Sequence, residues 1–423
     1  MNTIKELIKK YCPDGVEYKK LGEIGFFYSG LSGKSKDDFK DGNAMFITYM
    51  NVYSNPSTNL DVIERVKIGQ GEKQNKIEKG DILFTGSSET PDECGMSSVV
   101  TDDITSNYYL NSFCFGFRLN NKDTFEPNFL KHLFRDRKMR AQIARTANGV
   151  TRYNVSKKLF ARIIIPVPPL PVQREIVRIL DNFTSLEAEL EAELEARRKQ
   201  YEYYRDQLLS FRHLSGGGKS EVEWKTLGEV FEMRNGYTPS KSHSEFWEGG
   251  IIPWFRMEDI RNNGRRLSDS ILHITDKGLK GKGLFDKGTF ILATTATIGE
   301  HALLIVDSLA NQQFTNLKIR KSLVNSLLVD FVFYYLFIVD EFCKRHTNKS
   351  GFESVDMKAL SKMPFPIPPL SVQRRIVSIL DRFESLVNDI STGLPAEIAA
   401  RRQQYEYYRD QLLSFRHLSG GQE

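Results

Sequence analysis

The stretch QYEYYRDQLLSFRHLSGG occurs twice without a change, at Gln200–Gly217 and at Gln404–Gly421. The match continues upstream as IPVPPLPVQREIVRILDNFTSLE from Ile165 against FPIPPLSVQRRIVSILDRFESLV from Phe365. Each half also opens alike, with GVEYKKLGEI at Gly15 and EVEWKTLGEV at Glu221. Weaker echoes lie between: GDILFTG at Gly80 against GTFILAT at Gly288, and YNVSKKLFARIIIP at Tyr153 against VDMKALSKMPFPIP at Val355. The chain is therefore a duplication in the order A, B, A′, B′, and a repeat of this kind governs the whole fold. The two A segments keep a scaffold and differ at most positions, whereas the B segments are nearly the same. Recent duplication alone would have left both kinds of segment equally alike, so either recombination keeps the B copies alike or they meet the same partner twice. The A copies are free to recognise different things.

Segment B reads as helix. PVPPL fixes an extended entry, because a residue before proline avoids the α region, and Pro171 suits a first helical turn. Apolar residues then recur in steps of four and three at Val172, Ile176, Ile179, Phe183, Leu186 and Leu190, and on through Leu194, Tyr201, Tyr204, Leu208 and Phe211. Arg197 occupies one seam position of this coiled-coil stripe. The consecutive fours in LEAELEAELEA are a stutter that locally unwinds a supercoil. The second copy carries Ile376, Phe383, Leu386, Leu394, Ile398, Tyr405, Tyr408 and Leu412. It also contains STGLP, where Gly393 and Pro395 should end one helix and start another. Two such helices in one chain can pair antiparallel. A helix from Pro171 to His213 would be roughly 65 Å long.

The A segments alternate short β-branched and aromatic runs with helical stretches near Phe129–Thr146 and Leu327–Arg345 and with polar, glycine-bearing loops. This predicts an α+β architecture: two globular domains with sheet cores, joined by two long helices that can pair as an antiparallel coiled coil. The domain boundaries expected are 1–165, 166–217, 218–365 and 366–423.

At 423 residues the chain can bury more than one core. A net charge of +5 permits nucleic-acid binding without requiring it. The cysteines, Cys12, Cys94, Cys114 and Cys343, are widely separated, with no CxxC pair or nearby histidine, so neither a disulfide framework nor a metal site is expected. The N-terminus lacks the apolar core of a secretory signal, and the most apolar run, Phe331–Val339, is too short to span a bilayer. A soluble, cytoplasmic protein without membrane contact is expected.

Catalytic motifs are sparse. SGLSGKS at Ser29–Ser35 resembles a phosphate loop, but the required first glycine is Tyr28. There is no dinucleotide fingerprint, HExxH or GxSxG elbow, and no carboxylate pair stands out as an acid/base dyad, so the chain reads as non-catalytic. His213 and His417 are better explained as basic groups near helix C-termini than as catalysts. The tyrosines of YEYYRD fall on the coiled-coil stripe, which favours packing over base stacking.

The loops of the A segments are the better candidates for nucleic-acid contact, since Arg suits guanine, Asn or Gln suits adenine, and small polar groups suit phosphates. In the first segment these are Lys34, Ser35, Asn51, Thr85, Ser87 and Ser88, together with Asn148, Thr151, Arg152, Tyr153 and Asn154 of TANGVTRYNVSKK. In the second they are Arg256, Arg261, Asn262, Arg265 and Arg266 around IRNNGRR, then Thr294, Thr295, Gln312 and Gln313, and finally Lys349, Ser350 and Phe352 of HTNKSGFESVDMK. Corresponding loops differ between the halves while the scaffold persists.

The arrangement resembles the specificity subunit of type I restriction-modification systems. The motifs that carry the resemblance are IPVPPLPVQREIVRILD and IPPLSVQRRIVSILD, ARRKQYEYYRDQLLSF and ARRQQYEYYRDQLLSF, and the module starts VEYKKLGEI and VEWKTLGEV; it covers essentially the whole chain. It implies two target-recognition domains, each reading one half of an asymmetric, two-part site in double-stranded DNA. It further implies helices that set the gap and dock two methyltransferase subunits, with restriction and translocase subunits joining the full complex. S-adenosylmethionine, ATP and Mg would then belong to partner chains, and this chain would bind no cofactor. STGLP departs from an even two-fold repeat. Two other readings stay open at this stage, a degenerate nuclease or methyltransferase and a coiled-coil scaffold that binds only proteins.

Overall fold

The computed structural model describes residues 2–61, 64–211, 222–281, 283–348, 353–388 and 392–418. The chain forms two compact units, Met1–Glu191 with Glu397–Glu423, and Ala192–Ala396. The sequence boundaries set the helices apart as segments of their own. Packing instead divides the central helix between the units and assigns the last helix to the first.

The first unit is built on a four-stranded antiparallel sheet in the order Gly25–Ser29, Cys114–Leu119, Ile82–Thr85, Ser97–Val99. Side chains of a strand alternate between its faces. Ile82 and Phe84 accordingly enter one core with Phe117, Phe129 and Phe160, while Leu83 enters another with Tyr28, Ile47 and Leu110. Glu17–Lys20 pairs antiparallel with Ile164–Val167, so the start and the exit of the module are zipped together.

The second unit repeats the plan. Its sheet runs Phe231–Asn235, Phe314–Ile319, Phe290–Ala293, His301–Leu304, Arg266–Leu267, the last pair parallel. Phe290 and Leu292 face one core while Ile291 and Ala293 face the other. Glu223–Thr226 pairs with Pro364–Ile367 in the register of the first unit, Glu223 opposite Ile367 as Glu17 is opposite Val167. The apolar run that is too short for a membrane lies in the helix Val329–Arg345 and is buried in this unit's core. No helix among the described residues is long and apolar enough to cross a membrane.

The central helix spans Leu170–Ser210, 41 residues. Pro171 sits in its first turn, and the helix stops three residues short of the expected end. The cause is Phe211, which turns to φ +50° and buries its ring near Trp224 and Phe331, at centroid distances of 6.3 and 6.2 Å. A left-handed residue is a common helix stop. His213 lies outside the described residues. The second copy is broken where Gly393 and Pro395 predict, into Leu370–Asn388 and Leu394–Leu412, with Pro395 in the first turn of the latter.

One glutamine of each VQR motif locks its helix to its module. Gln173 is fully buried; it accepts from the Glu126 amide at 2.8 Å and donates to the carbonyls of Thr124 and Pro168 at 3.0 and 2.7 Å. Gln373 does the same with the Leu328 amide and the carbonyls of Ser326 and Pro368.

The apolar stripe serves two partners. Val172, Ile176 and Leu180, the last absent from the heptad reading, are fully buried against the first module. Ile179 packs at the margin of the same core, and Phe183 stacks on Tyr408 at 5.2 Å. Arg402 pairs with Glu187 and Glu191. These contacts run upward on one helix and downward on the other, the antiparallel sense expected. Tyr405 bonds His132 at 2.9 Å, and Leu412 is buried in the first unit's core. Leu190 is buried, and Leu186 and Leu194 are half-buried.

In the second unit Tyr201 and Ile376 are buried, with Leu208 and Phe383 packed at the margin of the core. Two stripe positions differ from expectation. Tyr204 stays 42% exposed although its ring lies 5.7 Å from that of Phe383, and Leu386 is 39% exposed while its neighbour Val387 is buried. The frame has turned here because the helix packs on a globular module as well as on another helix.

The tail that follows the last helix docks on the start of the first module. The Val16 amide donates to the Arg416 carbonyl at 2.9 Å, and the Leu418 amide donates to the Val16 carbonyl at 3.0 Å. Gly15, at φ +109°, permits this approach: a Cβ there would stand 2.6 Å from the carbonyl oxygens of Arg416 and His417. His417 stacks on Tyr18 at 3.8 Å, five residues beyond the helix end. Its position therefore follows from ring packing and not from the helix dipole.

Candidate nucleic-acid interface

In both modules the loop after the strand at the middle of the sheet pairs with the hairpin that precedes the exit. In the first, Ser87–Ser88 is antiparallel to Tyr153–Val155, which pairs in turn with Ala147–Asn148. In the second, Thr295 bridges Ser354 in the hairpin of Thr347–Asn348 and Ser354–Val355. Segments more than sixty residues apart in sequence are thus joined into one surface in the first module. They bring together Ser87, Ser88, Thr151 and Arg152, four of the expected residues.

These four line a cleft of about 440 Å³ with Tyr49, Tyr53 and Glu93, which the sequence reading missed. Tyr49 and Tyr53 stack one helical turn apart, centroids at 6.1 Å, on the short helix Tyr49–Ser54, which Thr48 caps by accepting from the Asn51 amide. Glu93 accepts from the Tyr53 hydroxyl at 2.8 Å, from Thr90 at 3.0 Å and from Ser88 at 3.2 Å. Those three hydroxyls, Tyr53 foremost, hold its carboxyl below the ordinary carboxylate range. Arg152 donates from Nε and Nη2 to Ser87 Oγ, at 3.2 and 3.1 Å, and lies 5.7 Å from the ring of Phe113. Phe113 and Met50 are each 59% exposed beside this cleft.

A repeat-based signal for Phe113 exists. Asn111 accepts from the Phe113 amide at 2.9 Å as Asn311 accepts from the Gln313 amide at 3.0 Å, so Phe113 and Gln313 are equivalent positions.

Several expected contact residues have partners within the protein. Lys34 bonds Glu72 and the Lys67 carbonyl, each at 2.6 Å, and Ser35 caps the turn Lys36–Phe39 through Asp38. Asn51 is buried and clasps Asn59 by donating to its carbonyl at 2.7 Å and accepting from its amide at 3.1 Å. Thr85 accepts from the Met96 amide, and Thr294 meets Thr315 at 3.1 Å. Arg265 pairs with the buried Asp340 at 3.0 Å, and Arg266 with Asp330 at 2.8 Å. Arg256 pairs with Glu258, Gln312 accepts from Thr238, and Gln313 accepts from Asn311. Asn148, Asn154, Arg261 and Asn262 are exposed, and Tyr153 is half-buried. Lys349, Ser350 and Phe352 lie outside the described residues.

The same strand-framed module is thus built twice, with different residues on one corresponding loop surface. Residues 13–196 and again 219–400 match the type I restriction modification DNA specificity domain, and the chain belongs to that family. It is 48% identical over 203 residues to the specificity subunit of the type I restriction enzyme EcoprrI of Escherichia coli, covering 46% of this chain and 51% of that one. It is 41% identical over 278 residues to the EcoR124I/EcoR124II specificity subunit of the same species, covering 62% and 64%. The matched stretches thus span between about half and two-thirds of those relatives. The fold is similar to that of a chain from a type I R-M system solved for its complex assembly and conformational transition, with a TM-score of 0.66, 19% identity, and 95% and 98% of the two chains covered. It is also similar to the HsdS subunit of Thermoanaerobacter tengcongensis, with a TM-score of 0.52 and 19% identity over 95% and 96% of the two chains.

Proposed function

We propose that this chain is the sequence-reading subunit of a type I restriction-modification complex and carries out no chemistry itself. Each module reads one half of an asymmetric, two-part site in double-stranded DNA. The helices set the gap between the half-sites and dock two methyltransferase subunits; restriction and translocase subunits complete the assembly in the cytoplasm. S-adenosylmethionine, ATP and Mg act on those partner chains.

The observation that carries this reading is a contrast between two exposed surfaces. Tyr203 and Tyr407 stand at the same position of the identical stretches and are 61% and 62% exposed. Packing within the chain does not require identity at exposed positions, whereas meeting the same partner twice does. The paired loops differ, by contrast: residues 86–96 of the first module correspond to the shorter residues 294–300 of the second, so Glu93 has no equivalent. Sequence is read from base edges by such side chains.

The test is a genome-wide map of N6-methyladenine in cells with and without this gene. Loss of methylation at one gapped, asymmetric motif is expected. An unchanged map in cells that express the partner subunits would refute the reading.

A further inference from the structure

We propose that Glu93 and Arg152 read one G·C base pair in the half-site of the first module, Glu93 accepting from the cytosine amino group and Arg152 donating to the guanine edge. The inference rests on the DNA-recognition reading above.

The cleft is poorly suited to phosphate. Glu89 and Glu93 both line it against the single cation Arg152, and carboxylates repel a phosphate backbone. An ionised carboxylate is an acceptor only, and on the major-groove edge the matching cytosine atom is the N4 amino group. Glu93 is held in place by three hydroxyls and remains exposed, so it is oriented before DNA arrives.

Arg152 is oriented in a complementary way. Its Nε and one Nη2 proton are engaged by Ser87 Oγ, and its plane is supported by Phe113. A guanidinium has five N–H donors, so the Nη1 pair and the second Nη2 proton form the end that no hydrogen bond among the described residues engages. Two parallel donors at that end match the O6 and N7 acceptors of guanine. Ser87 and Ser88 are adjacent, and each orients one of the two readers from a wall of the same cleft. A donor fork and an acceptor facing one space have the pattern of a G·C edge and oppose that of A·T.

The test uses the full chain reconstituted with its methyltransferase subunits, and duplexes in which each pair of the mapped first half-site is replaced in turn or carries 7-deazaguanine. The wild-type complex should lose binding roughly ten- to hundredfold when one G·C pair is replaced. R152A should become insensitive to 7-deazaguanine at that position. E93L, which keeps the bulk but removes both acceptor oxygens, should lose most of the preference for G·C at that position, roughly the ten- to hundredfold that such a contact gives. Preference at the second half-site should not change, which serves as the control for folding.

The proposal is overturned if both variants keep the wild-type preference at every position of the first half-site. A uniform loss of affinity across all duplexes, as a phosphate contact would give, overturns it equally. A wild-type complex with no sequence preference at all would instead bring down the recognition reading, and this proposal with it.

Discussion

Gln173 and Gln373 show how much of this fold depends on single polar side chains. Each is wholly buried with three hydrogen bonds to backbone groups at the point where a helix leaves its module. Gln173→Leu keeps the volume but strands one amide and two carbonyls, and an unsatisfied buried group costs about 1–3 kcal/mol. We expect a loss of roughly 2–4 kcal/mol in the first unit, read as a lowered denaturant midpoint. Two histidines should make stability pH-dependent. Burial lowers the pKa of His132, an effect that its bond to Asp181 does not cancel and that Lys131 and Arg409 reinforce. Burial also lowers His301, against the opposing pull of Asp340 and with Arg265 alongside. A histidine whose folded pKa is depressed binds its proton more readily in the unfolded chain. Its contribution is therefore whole above the ordinary value of 6.5 and is lost as pH falls below it. The unfolding midpoint should fall between about pH 7.5 and 5.5, and His301→Gln should flatten that slope; a slope unaltered in the variant would exclude His301 as a source. At this scale the sequence was only partly legible. Ser87, Ser88, Thr151 and Arg152 could be chosen because small polar and basic residues in glycine-bearing loops suit DNA. Tyr49 and Tyr53 could not, because only the fold joins their helix to that loop and an exposed aromatic looks like a core residue until burial is known; Phe113 was reachable only through its repeat equivalent Gln313, and Glu93 lies in the same loop as Ser87 and Ser88 but in a stretch that the second module lacks.

The helices were more legible than the sheets, and the errors in their buried stripe have one cause. A heptad stripe presumes a single partner, but these helices pack on a globular module and on another helix at once. Leu180, fully buried on the module side, was therefore missed, and in the second copy Val387 takes the buried place given to Leu386. The difference can be measured. Val387→Ala should cost about 1–2.5 kcal/mol of stability, whereas Leu386→Ala should cost about 0.5–1 kcal/mol; the reverse order would restore the heptad frame. The helix break at Gly393 and Pro395 was readable because both residues act through backbone geometry that tertiary context seldom overrides. The stop at Phe211 was not, since it depends on Trp224 and Phe331 beyond the helix. Strand runs such as GDILFTG were recognisable, but their order in the sheet depends on pairing across distant segments, which local pattern does not encode.

Across the whole molecule the repeat is plain in the sequence, and the structure adds where each copy belongs. The end of the first repeated helix, Leu209 and Phe211, is buried with the second module, and the end of the last one, Leu412 and Leu413, is buried with the first. Each module thus has a helix from each copy, and the modules carry the variation while the helices carry the sameness. We infer from this a division of labour in which loops read bases and helices measure distance. Four residues of helix add about 6 Å, on the order of one to two base-pair rises of about 3.4 Å. Deleting Glu187–Leu190 from LEAELEAELEA removes one four-residue step and brings the next Leu-Glu-Ala-Glu unit into its place, with both modules untouched. The measurement is a map of methylated motifs in cells that carry this deletion. The same two half-sites with an altered gap between them are expected; methylation that persists at the original gap would exclude the helices as the ruler.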